Sequence, residues 1–438
     1  MVGMVKWETG FCKKYQEDYM TKKAIIVGIK TNNQKDFDYM IDELENLVHA
    51  NNITVTERLT QSLDKIHTGH YLGSGKIEEL KKIIAETDID MVIFNDELSP
   101  YQIRNLEELL DTAVIDRTQL ILDIFYKRAK TKEAKLQVEI ARLQYELPRM
   151  RTSRDEKLDQ QSGASGTANR GAGETKLEIN YRTIKHRIQL LNKELENVIR
   201  ERDVQRKQRK KNQIPVVSLV GYTNAGKSTI MNKFVNKFNK GENKEVFEKD
   251  MLFATLETSV RNITLPDKKK FLLTDTVGFV SNLPHHLIKA FRSTLEEVRE
   301  ADLLIHVVDY SSIHYKNMME TTNSTLAQVG INDIPVIYVY NKADLTEKEI
   351  PADDGSSIYI SAKSDIGLDL LLEKIYDKIF QDYKKAVFLI PYNKGDIVSY
   401  FNENASVLNI KHEENGTKIT VECRKNDIEK YKNYIVSN

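Results

Sequence analysis

"VVSLVGYTNAGKST", Val216 to Thr229, begins as an unbroken apolar run and ends in glycine, lysine and two hydroxyls. The run Val216 to Val220 has the length and branching of a buried strand, and a helical pattern opens near Lys227. Between them Gly221, Gly226, Lys227 and Ser228 fit the spacing G-x-x-x-x-G-K-[ST]. Glycines at those places let backbone N–H groups close around phosphate oxygens, with Tyr222, Thr223, Asn224 and Ala225 completing the loop. Lys227 would add a positive charge on the outer phosphates, Ser228 a hydroxyl ligand for Mg²⁺, and the helix N-terminus a favourable dipole. Strand, loop and helix in this order predict an α/β nucleotide-binding fold.

The rest of the chain supplies complementary motifs in order. The apolar run Phe271 to Thr274 ends in "DTVG". There Asp275 can hold Mg²⁺ through water and the Gly278 N–H can meet a γ-phosphate, with Thr276 and Val277 between them. Upstream, "FATLE" (Phe253, Ala254, Thr255, Leu256, Glu257) places Thr255 in a polar loop, suited to a second hydroxyl on Mg²⁺. A strand pattern from Pro335 to Tyr340 ends in "NKAD", Asn341, Lys342, Ala343 and Asp344. Asp344 can accept from the ring N–H and exocyclic amine of guanine, a pattern adenine does not present, while Asn341 and Lys342 brace the site. "ISAK" follows another strand and, through Ser361, Ala362 and Lys363, offers a backbone N–H to the guanine oxygen. The expected substrate is GTP rather than ATP, with Lys227, Thr255 and Gly278 as the catalytic groups.

After Gly278, where many small GTPases carry a water-orienting glutamine, stands Phe279. A phenyl ring cannot hydrogen-bond water, so hydrolysis is expected to be slow alone and faster on a partner. Arg261 falls in the strand pattern Val260 to Leu265 and reads as a solvated strand face.

The formal net charge is zero, yet residues 127 to 212 carry 23 Lys+Arg against 12 Asp+Glu, a net +11. That suits a surface for phosphate backbones. Within the segment Leu136, Ile140, Leu143 and Leu147 form one heptad seam, and Tyr181, Ile184, Ile188, Leu191, Leu195 and Val198 a second. Neither narrow stripe is stable alone and each can cover the other, which predicts an antiparallel helical hairpin. Pro148 is expected to stop the first helix and "GETKLE" to start the second, so "SGASGTANRGAGETKLE" (162 to 178) falls at the tip.

Residues 24 to 116 alternate strand and helix patterns, beginning with Ala24 to Ile29, and predict a small α/β domain. Within it "GHYLGSGKIEEL" has five residues between Gly69 and Gly75 and Ile77 after the lysine, so it reads as a strand-to-helix turn rather than a second phosphate loop. Beyond residue 385 short strands, a turn at Asn415-Gly416 and two helix patterns, the second from Asp427 to Tyr434, predict a small α+β appendage. No apolar run approaches the ~20 residues of a membrane span, and the first residues lack the apolar stretch of a secretory signal. Cys12 and Cys423 lie too far apart in sequence for a metal or redox motif. The chain is expected in the cytoplasm.

"IDRTQLILDIFYKRAKTKEAKLQVEIARLQYELPRM", the glycine-rich tip, "GYTNAGKST", "FATLE", "DTVGFVSNLPHHLIKAFRSTLEEV" and "NKAD" together resemble the HflX family of translational GTPases, over about residues 22 to 380. The resemblance implies GTP and Mg²⁺ at Gly221 to Ser228, Thr255, Asp275 to Gly278 and Asn341 to Asp344. It implies a protein that binds the large ribosomal subunit and its RNA through the hairpin tip and separates or rescues stalled ribosomes under stress; a monomer is expected. Arg170, Lys176, Arg149 and Arg151 are the expected RNA contacts. An RNA-binding module that uses GTP as a switch away from the ribosome, and an antibiotic-resistance version of the same factor, stand beside this reading.

The expected architecture is α/β and multidomain. An N-terminal extension (1–21) precedes an α/β domain (22–117), a basic helical hairpin (118–212, tip about 148–175), a Ras-like P-loop GTPase domain (213–383) and an α+β C-terminal domain (384–438).

Overall fold

The computed structural model describes residues 22–32, 36–152, 176–211, 214–238, 252–253, 258–284, 287 and 297–436. Ala254, Thr255, Leu256, Glu257 and Arg170 of the expected site lie outside them. The chain divides into two compact units, one running to Glu196 and taking in 284–290, the other comprising the rest.

In the first unit, β1 (Lys23–Lys30), β2 (Thr54–Ser62), β3 (Met91–Phe94) and β4 (Ala113–Asp116) form a sheet of order β2-β1-β3-β4. Every pairing is parallel. Helices α1 (Phe37–Ala50), α2 (Ser74–Glu86) and α3 (Pro100–Leu110) make the crossovers. A parallel sheet covered on both faces needs apolar residues at consecutive positions, and Ala24 to Ile29 is buried throughout. "GHYLGSGK" is the turn into α2: His67 and Tyr71 exchange backbone hydrogen bonds, and Gly73 is the N-cap.

α4 (Arg117–Arg128) and α5 (Lys132–Thr152) follow, and α6 (Lys176–Lys211) returns. Pro148 does not stop the helix: α5 continues through it to Thr152. Arg149 anchors this turn, donating from Nη1 to the Tyr145 carbonyl at 2.8 Å and from Nη2 to the Leu98 carbonyl at 3.1 Å. Lys132 pairs with Glu194 at 2.9 Å, and Arg187 with Glu139 at 2.9 Å. As one partner advances the other retreats by the same number of residues, so the two helices run antiparallel. Leu191 is buried in the second seam, as Leu136 and Ile140 are in the first.

α5 carries a second stripe that the heptad reading passed over. Ala134, Val138, Ala141 and Tyr145 are also buried, on the face turned to α3 and α4. One helix thus belongs both to the hairpin and to the outer layer of the α/β domain.

In the second unit, β5 (Val216–Gly221), β6 (Ser259–Thr264), β7 (Lys270–Asp275), β8 (Leu303–Asp309), β9 (Val336–Asn341), β10 (Ala352–Asp353) and β11 (Ser357–Tyr359) form a sheet of order β10-β11-β9-β8-β5-β7-β6. The interior pairings are parallel and the two edges antiparallel. α7 (Lys227–Phe238), α8 (Tyr315–Gln328) and α9 (Leu368–Ile379) pack on it. Parallel strands all end at the same edge, so β5, β7 and β9 deliver "GYTNAGKST", "DTVG" and "NKAD" together.

β12 (Tyr383–Ile390), α10 (Gly395–Asn404), β13 (Ser406–Glu413), β14 (Gly416–Arg424) and α11 (Lys425–Lys430) complete the chain as an antiparallel sheet of order β12-β14-β13 around Phe388, Ile390, Phe401, Ile419 and Val421. The last helix is shorter than expected, closing at Lys430 before a 3₁₀ turn from Lys432 to Tyr434. No helix among the described residues is long and apolar enough to cross a membrane.

Candidate functional site

The phosphate end is built on two glycines that no other residue could replace. Gly221 has φ +146°, and a Cβ there would lie 2.2 Å from the Val307 carbonyl oxygen; at Gly226, φ +96°, it would lie 2.1 Å from Asn341 Nδ2. The loop closes so tightly that Lys227 reaches back over it, donating to the Gly221 carbonyl at 3.0 Å and the Tyr222 carbonyl at 2.6 Å. Burial pushes its amine down to about 8, against the opposing pull of the Asp275 carboxylate. Ser228 Oγ donates to Asp275 Oδ2 at 2.6 Å, so the two expected metal-side groups are in contact.

Asp275 is fully buried at the end of β7, and Thr276 donates to the Leu219 carbonyl at 2.7 Å, fixing "DTVG" beside the loop. The Thr223 N–H donates to the Phe279 carbonyl at 2.8 Å, and the Phe279 N–H to the Gly221 carbonyl at 3.2 Å. Gly278 therefore sits against the loop: a Cβ on it would be 2.7 Å from Thr223 Cα. The Phe279 ring is 1 % exposed, packed away from any position where it could meet water.

At the base end Asn341 joins three motifs. Its Nδ2 donates to the Ala225 carbonyl at 2.8 Å and its Oδ1 accepts from the Ala362 N–H at 2.9 Å. Ala343 N donates to the Ile360 carbonyl at 3.1 Å, tying "NKAD" to "ISAK". Lys342 adopts φ +60° and pairs with Asp309 at 2.7 Å. Asp344 is exposed in the 3₁₀ turn Ala343–Leu345, its carboxylate available to a base. In "ISAK" the Ser361 N–H is used by Ile366 and the Ala362 N–H by Asn341, so among the described residues the Lys363 N–H is the one left for a guanine oxygen.

Sequence reasoning missed Asp309 and Ser281. The signal for Asp309 was its place at the end of the apolar run Leu303 to Val308; Ser281 had none. Phe253 is buried with φ +55°. Arg149, expected on RNA, is engaged inside the first unit: Nη2 lies 3.1 Å from Asp116 Oδ2, and its guanidinium stacks 3.2 Å over the Tyr145 ring. A guanidinium paired with a fully buried carboxylate is a structural cation. Arg151 and Lys176 stand at the facing ends of α5 and α6.

Residues 38–126 match the family described as GTP-binding GTPase N-terminal, 128–209 its middle region, and 216–342 the 50S ribosome-binding GTPase family. The chain is 42% identical over 416 residues to the GTPase HflX of Caldanaerobacter subterraneus, covering 95% of this chain and 94% of that one. The chain belongs to the HflX family of GTPases. Its HflX relative in Escherichia coli is 36% identical over 90% of this chain and 92% of its own. The solved structure of the SsGBP and GDP complex is 26% identical, with a TM-score of 0.47, covering 82% of this chain and 99% of that one. As an HflX GTPase, the chain binds GTP and hydrolyses it.

Proposed function

We propose that this GTPase acts on the large ribosomal subunit, splitting or rescuing stalled ribosomes under stress, as a monomer in the cytoplasm. The observation that carries the reading is the hairpin: an antiparallel helix pair in a segment of net +11, anchored to the α/β domain through the second face of α5. Such a surface recognises a phosphate backbone before anything else. The description of the matching family as 50S ribosome-binding supports the same partner. Arg151, Arg170 and Lys176 are the proposed RNA contacts, Arg149 being committed to Asp116.

Mg²⁺ fits the site. The Ser228 hydroxyl and the Asp275 carboxylate are hard oxygen donors 2.6 Å apart, the set this cation selects. Ser228 would bind it directly, Asp275 through water, and Thr255 would add the second hydroxyl; bound there, the ion would neutralise charge developing on the outer phosphates.

The chain's own groups do the rest. The N–H groups of the loop and the start of α7 bind the phosphates, and Lys227 turns from its two carbonyls to the outer oxygens. Gly278 and Thr255 hold the γ-phosphoryl group, and Asp344 selects guanine. With Phe279 buried, no side chain at that position orients water, which leaves turnover slow until a partner orders the site.

The test is GTP turnover with and without purified large subunits at fixed Mg²⁺ and near-physiological salt. Stimulation is expected, weakening in Arg170→Ala and falling steeply with added salt. Turnover unchanged by subunits or whole ribosomes would remove the ribosome from the reading and leave the nucleotide site intact.

A further inference from the structure

We propose that Tyr222 is a positioning residue for GTP hydrolysis. Its hydroxyl latches the segment after Asp275 onto the phosphate loop in a pose that admits GDP and excludes the γ-phosphoryl group. The inference rests on the GTPase activity alone, so its failure would leave the ribosomal reading untouched.

Tyr222 is the second residue of the phosphate loop and is 3 % exposed. Its phenol oxygen accepts from the Ser281 N–H at 2.6 Å and shares a proton with Ser281 Oγ at 2.6 Å. Next to this contact Tyr222 and Phe279 form a parallel bridge, closed by the Thr223 N–H to Phe279 carbonyl bond and the Phe279 N–H to Gly221 carbonyl bond. Residues 278 to 281 are thus zipped to residues 221 to 223 by backbone bonds, and at the far end by one side chain.

A third phosphate would have to enter between Gly278 and the phosphate loop. Gly278 and Thr223 approach so closely that a Cβ on Gly278 would be 2.7 Å from both Thr223 Cα and Cγ2. A phosphoryl oxygen accepting from both N–H groups needs about 3 Å to each nitrogen, so the two segments must part. The Thr223 N–H, a donor of the phosphate loop, is meanwhile spent on Phe279. GDP, which lacks that phosphoryl group, makes no such demand on the two segments.

The closed pose is also balanced rather than locked. Thr223 is 6 % exposed and its hydroxyl is buried without a hydrogen-bond partner among the described residues, which works against closure. The two bonds to the Tyr222 oxygen offset that cost. Removing them should therefore move the equilibrium, and in a direction that a merely structural tyrosine would not.

The experiment compares affinities of the full-length protein for GDP and for a non-hydrolysable GTP analogue, in wild type, Tyr222→Phe, Ser281→Ala and the double variant. Tyr222→Phe keeps the buried ring and loses both bonds. The expected result is a preference for the GTP analogue over GDP that rises about tenfold, from two hydrogen bonds of ordinary strength. Ser281→Ala, which keeps the backbone bond, should shift it less, and the double variant no further than Tyr222→Phe. Faster hydrogen exchange at the Phe279 and Ser281 amides of GDP-bound Tyr222→Phe is expected alongside. Affinities for both nucleotides falling together, or an unchanged ratio with a folded protein, would overturn the proposal.

Discussion

Lys227 has exchanged water for the carbonyls of Gly221 and Tyr222, and burial pushes its amine down to about 8. Phosphates arriving beside it favour the charged form and raise it again. The sign of proton linkage follows. At pH 8.5 the free protein holds much of Lys227 neutral and the nucleotide-bound protein holds it charged, so binding should take up a proton. At pH 6.5 Lys227 is charged in both forms and contributes no uptake, while the terminal phosphate of GDP, with a second pKa of about 6, can only release a proton on binding. Calorimetric titration of GDP in buffers of different ionisation enthalpy checks this; equal uptake at the two pH values would assign the proton elsewhere. At this scale the sequence is most legible where shape alone dictates the residue. Gly221 and Gly226 could be read directly, because a Cβ at either would collide with a neighbouring strand or with Asn341. Arg149 was misread because a charge reveals nothing of a carboxylate 33 residues away.

The same contrast appears among whole elements, and α5 illustrates it. Heptad spacing exposed the seam to α6, since that pattern is periodic and local. The stripe of Ala134, Val138, Ala141 and Tyr145 was hidden by small and polar-tipped residues, whose burial depends on what α3 and α4 present. Magnitudes separate the two faces. Tyr145 donates at 2.6 Å to Asp116, which is fully buried and also accepts from the Leu98 and Gln119 N–H groups. Tyr145→Phe should cost about 1.5–3 kcal/mol, as expected for a bond to a buried carboxylate. Arg187→Ala, at an ion pair whose side chains are 53% and 42% exposed, should cost less than about 1 kcal/mol. Chemical denaturation of the two variants decides the order; the reverse ranking would mean that the hairpin seam, not the α5 anchor, limits the stability of this unit.

For the molecule as a whole, Lys269 shows what no segment of sequence announces by itself. It lies in the turn between β6 and β7, the hairpin whose far end carries Asp275, yet its amine is buried among residues of α9, β12 and β14. Its Nζ donates to the Tyr376 hydroxyl, pairs with Glu422 at 3.0 Å and Asp267 at 3.5 Å, and lies 4.2 Å from the Tyr376 ring centre and 4.9 Å from that of Tyr383. Burial alone would depress this amine; the hydrogen bonds to Tyr376 and Glu422 outweigh it and the net shift is upward. Lys268 adds a bond to the Asn402 carbonyl at 2.5 Å. The strands of the C-terminal domain were readable one by one, but this node joins residues more than a hundred positions apart, and only the assembled fold brings them together. Lys269→Met keeps the stem against the rings and leaves Glu422 and Asp267 without their cation. Both carboxylates are about a quarter exposed, so the cost should fall at or below the low end for a broken buried pair, about 2–3 kcal/mol. Adding Glu422→Gln should restore part of it, because the stranded charge accounts for much of the loss. Thermal unfolding of the GDP-bound single and double variants measures both steps. If Lys269→Met unfolds like wild type, the rings and the Lys268 bond suffice to hold the C-terminal domain against the β6–β7 turn; if the second substitution worsens the first, Glu422 acts there independently of Lys269.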